Sequence, residues 1–230
     1  MDYIINGLIE ALKLLISFDL EIYSILGLSI VVSLTSTVFA SLFGVFGGIV
    51  LGLYDFKFKR FIIRIVYAFM ALPPVVVGLF VAIILSRRGP MGSLELLFTP
   101  TAMIVAQTIL ITPIITGLIY NATKAHGETI SQVSMSLGGT VKDQILLVFI
   151  ELKKTIAIAI TTGFGRGISE VGAVMIVGGN IKGHTRVMTT FIAMNNSMGN
   201  YSKSIAMGLV LIGIAIITNG FIHRMSGERI

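Results

Sequence analysis

The 230-residue sequence has no cysteine, five prolines and few charges; only 12% of its residues are Asp, Glu, Lys or Arg, where soluble domains carry roughly a quarter. Without cysteine there is no disulfide framework, no thiolate metal site and no thiol chemistry. The scarcity of charge excludes an ordinary water-soluble domain, and 55% hydrophobic residues with a mean hydropathy of +0.95 put the chain in a bilayer. A helix needs about 20 apolar residues to cross ~30 Å of hydrocarbon, so the chain accommodates about five spans and no large catalytic domain outside the membrane. Chemical motifs are missing as well. There is no GxxxxGK(S/T) loop to cradle a nucleotide, no GxSxG, and no Ser/Lys pair in the spans. His126, His184 and His223 fall in separate loops or span ends with no second ligand three or four residues away. No enzyme activity, cofactor or metal site is expected. A net charge of +6 would suggest a nucleic-acid partner in a soluble protein, but here Lys and Arg flank apolar runs and serve to orient them, so no such partner is expected.

What the chain does have is long uncharged runs. Residues 22–54 carry no charge over 33 positions, more than one membrane thickness and less than two, which predicts one long helix that tilts or emerges. Glycines 44, 47, 48 and 52 lie on its second half, where small residues admit a neighbouring helix. The run 65–86 contains Pro73-Pro74 and is expected to be a kinked span facing protein or a cavity. The run 101–123 follows Pro100 and carries Pro113, predicting another bent helix. A span from about 155 to 177 is apolar except for Arg166 and Glu170, the glycine-rich GGNIKGHTR (178–186) reads as a loop, and 204–222 is a final uncharged span. The segment 3–18 is too short and too charged for a sixth and is read as an amphipathic helix on the membrane surface. Asp2, Glu10, Asp19 and Glu21 against the single Lys13 give the wrong charge order for a secretory signal.

Residues 124–154 are the longest stretch of mixed polarity, read as a short helix, a Gly138-Gly139 turn and a second helix leading back to the membrane. Placing 55–64, 124–154 and 224–230 in the cytoplasm collects ten Lys and Arg inside against six outside. That bias predicts the N-terminus outside and the C-terminus inside. No internal repeat or linker divides the chain, so a single domain is expected.

Three stretches stand out from this background: LPPVVVG (72–78), SRRGPMG (86–92) and FGRGISEVGAVMIVGGNIKGHTRVMTT (164–190). They resemble the permease subunits of binding-protein-dependent ABC importers for molybdate, tungstate and sulfate, over about residues 22–225. SEVG at 169–172, where GEFG is common in molybdate permeases, and LLFTPTAMIVAQ at 96–107 look most like the tungstate permeases. The resemblance implies an all-α membrane protein with the type I (MetI-like) ABC importer fold. It would comprise an N-terminal interfacial segment (1–21), a permease domain of five transmembrane helices (22–225) and a short tail (226–230). The segment QVSMSLGGTVKDQILLVFIE (132–151) stands where that family has its EAA loop. Gln132, Val133 and Ser134 occupy the EAA positions, Gly138 the glycine, followed by Gly139, and Glu151 stands where proline is usual. The resemblance implies a coupling helix that docks into a cleft of an ATPase subunit; without it the segment reads as an amphipathic connector.

Arg166 and Glu170 are four apart, able to pair on one helix face. Ionisable groups in the membrane cost ~2.5–3.5 kcal/mol each on insertion scales and face a cavity or one another. Two readings stay open: a self-neutralising structural pair, or an Arg166 that lines the path of a dianion with Ser169 offering a hydroxyl. Pro73 and Pro74 are likewise a structural break or part of a gate. The function implied is a permease subunit, not itself an enzyme, that passes tungstate into the cytoplasm across the cell membrane. Its implied partners are a second copy of itself, two cytoplasmic ATPase subunits that use the ATP, and an extracytoplasmic tungstate-binding protein. A molybdate or sulfate permease is the alternative in the same family, and a passive anion channel ringed by Arg166/Glu170 the alternative in another class.

Overall fold

The computed structural model describes residues 20–226 together with Ile5, Leu8, Ile9 and Lys13. Apart from those four residues, the interfacial helix expected at 3–18 lies outside the described residues, as does the end of the tail at 227–230. Within them the chain is helical and contains no strand. In order the helices are α1 (Leu20–Leu53), α2 (Lys59–Met70), α3 (Pro74–Leu85), α4 (Pro100–Ser136), α5 (Val141–Glu151), α6 (Lys153–Ile168), α7 (Gly172–Gly178), α8 (Met188–Ser197) and α9 (Tyr201–Ser226), with a 3-10 turn at Gly92–Leu94. Three of them, α1, α4 and α9, are long and apolar enough to cross a membrane, and the broken pair α2–α3 would make a fourth.

The helix bounds follow from local chemistry. Helix α1 covers the uncharged run and carries Glu21 in its first turn, where an acid complements the positive end of the helix. Its 34 residues make it roughly 50 Å long at 1.5 Å per residue, well beyond the hydrocarbon thickness. The second span is not a kinked helix but two helices. The ring of Pro74 disfavours helical geometry at the residue before it, so Pro73 sits extended at φ −60°, ψ 128°, and Pro74 starts α3 where a missing N–H costs nothing. Helix α4 runs unbroken through Pro113 to Ser136, so the short helix expected after residue 124 is its own last turns. The expected span 155–177 is also divided. Helix α6 ends at Ile168 and α7 begins at Gly172, leaving pieces of 16 and 7 residues. Between the loop at 178–186 and the last span lies a further helix, α8, with Met188, Thr189, Thr190, Phe191 and Asn195 buried.

The described residues cluster into two compact units, each threaded by the chain more than once. One takes residues up to 36, 73–107 and 165–218; the other takes 37–72, 108–164 and 219 onward. In the second unit, Ala40, Val45 and Ile49 from α1, Ile111, Ile115 and Ile119 from α4, Val148 from α5, Leu152 at the junction, and Ile156 and Ala159 from α6 form one core. Its closest approach is a stripe of glycines four apart. A Cβ at Gly48 would lie 2.6 Å from Ile119 Cβ and 2.9 Å from the Thr116 carbonyl, and one at Gly44 would lie 2.9 Å from Ile115, whereas Gly47 points to space with Thr116 no nearer than 3.8 Å. Backbones therefore touch along α1 and α4, replacing the hydrophobic drive that lipid does not supply. In the first unit α3 packs on α7 in the same manner, Gly78 lying against the backbone of Ala173, with Val77, Val81, Val174 and Val177 buried around the contact.

This packing predicts that Gly48→Ala lowers the stability of the detergent-solubilised protein by about 1–3 kcal/mol, the usual cost of overpacking, while Gly47→Ala is near neutral. Thermal unfolding midpoints of the two variants check it, and equal midpoints would show that the glycine stripe is not a contact.

Candidate functional site

The first unit brings the sequence-predicted residues Pro73, Pro74, Arg166, Ser169 and Glu170 to two neighbouring chain breaks. One precedes α3 and the other precedes α7. They adjoin through Val75, whose Cγ2 lies 2.6 Å from where a Gly172 Cβ would be, and Glu170 Oε1 lies 3.6 Å from the same point. Each break leaves backbone groups that the bilayer cannot satisfy, so side chains must.

Glu170 does most of this at the second break. Its Oε1 accepts the Ala173 N–H at 3.1 Å, serving one open donor at the start of α7, and its carbonyl accepts the Thr189 hydroxyl at 2.8 Å. Its Oε2 meets Arg166 Nη1 at 3.1 Å, with the Glu170 side chain 4% exposed and that of Arg166 39% exposed. The pair forms, but not along one helix face as expected, because α6 has ended two residues before Glu170. Ser169 spends its hydroxyl on the last turn of α6, donating to the carbonyls of Gly165 at 2.9 Å and Arg166 at 3.1 Å. Above this, Gln107 Nε2 donates to the Gly167 carbonyl at 3.0 Å, and Ser36 donates to Gln107 Oε1 at 2.8 Å. Glu170 is thus a buried, fully engaged clasp, and Arg166 is its partly exposed counter-charge.

The second unit carries the other predicted group. Helix α4 ends at Ser136, and Gly138 turns the chain at φ +77° in open space, a conformation that costs a residue with a side chain roughly 1–2 kcal/mol. The N–H groups of Gly138 and Gly139 bond back to the carbonyls of Met135 and Ser134, at 3.0 and 2.9 Å. Helix α5 then starts with a reciprocal cap: the Thr140 N–H donates to Asp143 Oδ2 at 2.7 Å and the Asp143 N–H to Thr140 Oγ1 at 3.4 Å. These bonds, the Thr140 hydroxyl first, hold the Asp143 carboxyl below its ordinary range. The cap is therefore complete above the usual carboxylate pKa and is lost only as pH falls through that lowered value. Ser131 donates to Gln144 Oε1 at 3.1 Å, tying α4 to α5. At the tip of this elbow Val133, Met135, Leu137 and Val141 are exposed, Leu137 by 82%. Gln132 is exposed, Ser134 buried, and Glu151 exposed at the far end of α5.

A third group escaped the sequence reading. Glu21 at the start of α1 bridges Lys182 at 2.8 Å and Arg186 at 3.5 Å, beside a cavity of about 250 Å³. The glycines of 178–186 gave the loop, but nothing in the spacing linked it to the distant Glu21. Among the described residues no cluster of His, Asp and Glu is arranged to hold a metal ion.

No profile of a known protein family matches the chain. Individual proteins do. It is 49% identical over 228 residues to the tungstate uptake system permease protein TupB of Peptoclostridium acidaminophilum, covering 99% of this chain and 100% of that protein. It is 38% identical to the TupB of Campylobacter jejuni, over 98% and 94% of the two chains. The molybdenum transport system permease protein ModB of Azotobacter vinelandii is 28% identical over 64% of this chain and 70% of that one. Among solved structures the fold is that of a chain of the MetNI methionine ABC transporter in an inward-facing conformation, with a TM-score of 0.68 at 16% identity, covering 88% of this chain and 94% of that chain.

The clasp geometry predicts that Arg166→Gln destabilises the protein by roughly 1–3 kcal/mol. That is less than for a fully buried pair, because Arg166 meets solvent, and more than for a surface pair, because Glu170 is left without its counter-charge. Arg166→Gln/Glu170→Gln should recover part of the loss. Melting curves of the single and double variants decide it; a single variant as stable as the parent contradicts the clasp.

Proposed function

Because the chain belongs to the family of ABC importer permeases that includes the tungstate uptake permeases, we propose that it carries tungstate into the cytoplasm and works as one of two identical membrane subunits. A pair of cytoplasmic ATPase subunits drives it, and an extracytoplasmic binding protein delivers the anion. The observation that carries the reading, beyond the family, is the elbow between α4 and α5. It is an apolar tip held on two cross-tied helices, with Leu137 82% exposed and no partner for it among the described residues. A helix-borne apolar tip of this kind suits a groove in another protein, and in this reading the groove belongs to the ATPase.

Closure of the ATPase pair would draw two such elbows together, and each would move as a unit because Ser131–Gln144 and the Thr140–Asp143 cap fix α5 to the end of α4. The permease then alternates between inward-open and outward-open states by rigid-body rocking of helices. The anion passes unchanged, so no chemistry on tungsten is required. Tungstate and molybdate are dianions of the same shape and nearly the same size, and the choice between them rests with the binding protein. The N-terminus is outside and the C-terminus in the cytoplasm, following the Lys and Arg bias.

Gly138→Val tests the role of the elbow. It forces a β-branched side chain into a positive-φ turn, with no clash to disturb the core, since nothing lies within 4 Å. Reconstituted with its ATPase and binding protein, this variant should melt only a few degrees lower, as the roughly 1–2 kcal/mol cost of the turn implies, but lose most tungstate uptake or most of its coupling to ATP hydrolysis. Uptake and stimulated hydrolysis at parental rates would contradict the proposal. Because the chain contains no cysteine, Ser136→Cys reports orientation on a clean background. An impermeant thiol reagent should label it from inside-out vesicles and not from intact cells, and the reverse pattern would invert the topology.

A further inference from the structure

The cavity beside Glu21 has the makings of a reception site for the substrate. It lies wholly in the first unit, between the start of α1, the 178–186 loop, α8 and the start of α9, and has a volume of about 250 Å³. At roughly 30 Å³ of liquid volume per water, that is room for a tetrahedral oxyanion with part of its hydration shell. Three cations line it, Lys182, Arg186 and Lys203, against one described carboxylate, Glu21. Two positive charges are left over among the described lining residues, matching a dianion. Ile22, Phe191, Met194 and Met198 supply apolar wall, which strengthens the field of the cations, and Asn195 and Asn200 supply neutral polar wall.

The site is held in shape before any ligand arrives. The hydroxyl of Thr185, which is fully buried, donates to the Gly178 carbonyl at 2.5 Å and accepts the Ile181 N–H at 2.9 Å. The N–H groups of His184, Thr185 and Arg186 all converge on the Ile181 carbonyl, at 3.0–3.1 Å. Asn180, at φ +51°, orients the guanidinium of Arg186: its Oδ1 accepts from Nε at 3.3 Å and its carbonyl from Nη2 at 3.4 Å. Arg186 is only 13% exposed. A surface ion pair needs none of this support, whereas a planar fork fixed beside two lysines suits an anion with several oxygens.

We propose that this cavity binds a tetrahedral oxyanion dianion through Arg186, Lys182 and Lys203, and that Glu21 is an internal counter-charge that keeps the binding weak enough for the anion to be handed on. The inference rests on the transport function proposed above, under which the loop at 178–186 and the start of α1 lie on the outer side. Glu21 holds Lys182 and Arg186 in place while repelling the anion that joins them. Its removal should therefore strengthen binding, the opposite of what a purely structural ion pair would give.

The test is a calorimetric titration of the full-length permease in nanodiscs with sodium tungstate at fixed ionic strength. It needs neither ATPase nor binding protein, so it reads this site independently of uptake. Saturable binding is expected, competed by molybdate and sulfate and much less by the monoanion perchlorate. Arg186→Gln and Lys203→Gln should each weaken it about tenfold, the scale of one charge-assisted contact, and Glu21→Gln should tighten it severalfold. Lys203 is exposed at the start of α9, so its variant should fold normally and keep the test valid if Arg186→Gln does not. Absence of saturable binding, indifference to Lys203→Gln, or weaker binding by Glu21→Gln would each overturn the site. Vesicle uptake separates the two claims. Tungstate import by the full complex with no binding in the titration removes this site and leaves the function standing; saturable binding without ATP-driven import does the reverse.

Discussion

Inside a bilayer every backbone N–H and C=O must find its partner within the protein, and that requirement decides where this chain can stop being helical. Two of its breaks in the first unit, before α3 and before α7, resolve the problem differently. At Pro73-Pro74 the donors are simply absent, because proline has none, and the break is written into the covalent structure. At Ser169–Val171 the donors exist: the Ser169 and Glu170 N–H groups bond back to the Gly165 and Gly167 carbonyls, Glu170 takes the Ala173 N–H, and the Ser169 hydroxyl donates to carbonyls in the last turn of α6. A buried carboxylate used in this way needs a counter-charge, and Arg166 supplies it. The ion pair therefore has a structural task at this break.

The same scarcity of hydrophobic drive within lipid explains the glycines. Helices in a membrane gain little from hiding apolar surface and must instead gain from close contact. Gly44 and Gly48 let α1 meet α4 backbone to side-chain root, and Gly78 does so for α3 on α7. These contacts make each unit firm. The elbow tip and the loop beside Glu21 are held instead by hydrogen bonds and caps.

Much of this was legible in the residues. The 33 uncharged positions of 22–54 could only be one long helix, and the glycine pair at 138–139 could only be a turn among charged and polar neighbours. Glycines 44, 47, 48 and 52 announced a close neighbour without saying which helix or which glycines would touch. Other features were hidden for physical reasons. The spacing of Arg166 and Glu170 is the same whether the helix continues or breaks between them, and nothing in GISEVG forbids a helix locally; only the burial of α7 against α3 forces the break. The boundary expected near Thr123 failed because residues 124–136 contain no proline to stop the helix, and α4 continues through Gly127 and the serines to Ser136. The ion pairs of Glu21 join residues far apart in sequence, which no local pattern encodes. The roles of the elbow and of the outer cation cluster are proposals that the pattern of exposure and charge supports.

Family membership and fold describe a permease; under the proposed function, ATP drives its transport of tungstate. The most direct test is accumulation of tungstate in vesicles containing the permease and its ATPase, with the binding protein supplied on the substrate side. Tungstate should rise above its external concentration only when ATP and the binding protein are both present, and should stay low with a non-hydrolysable nucleotide. Equilibration of tungstate down its gradient without ATP would contradict it and mark the chain as a passive anion channel.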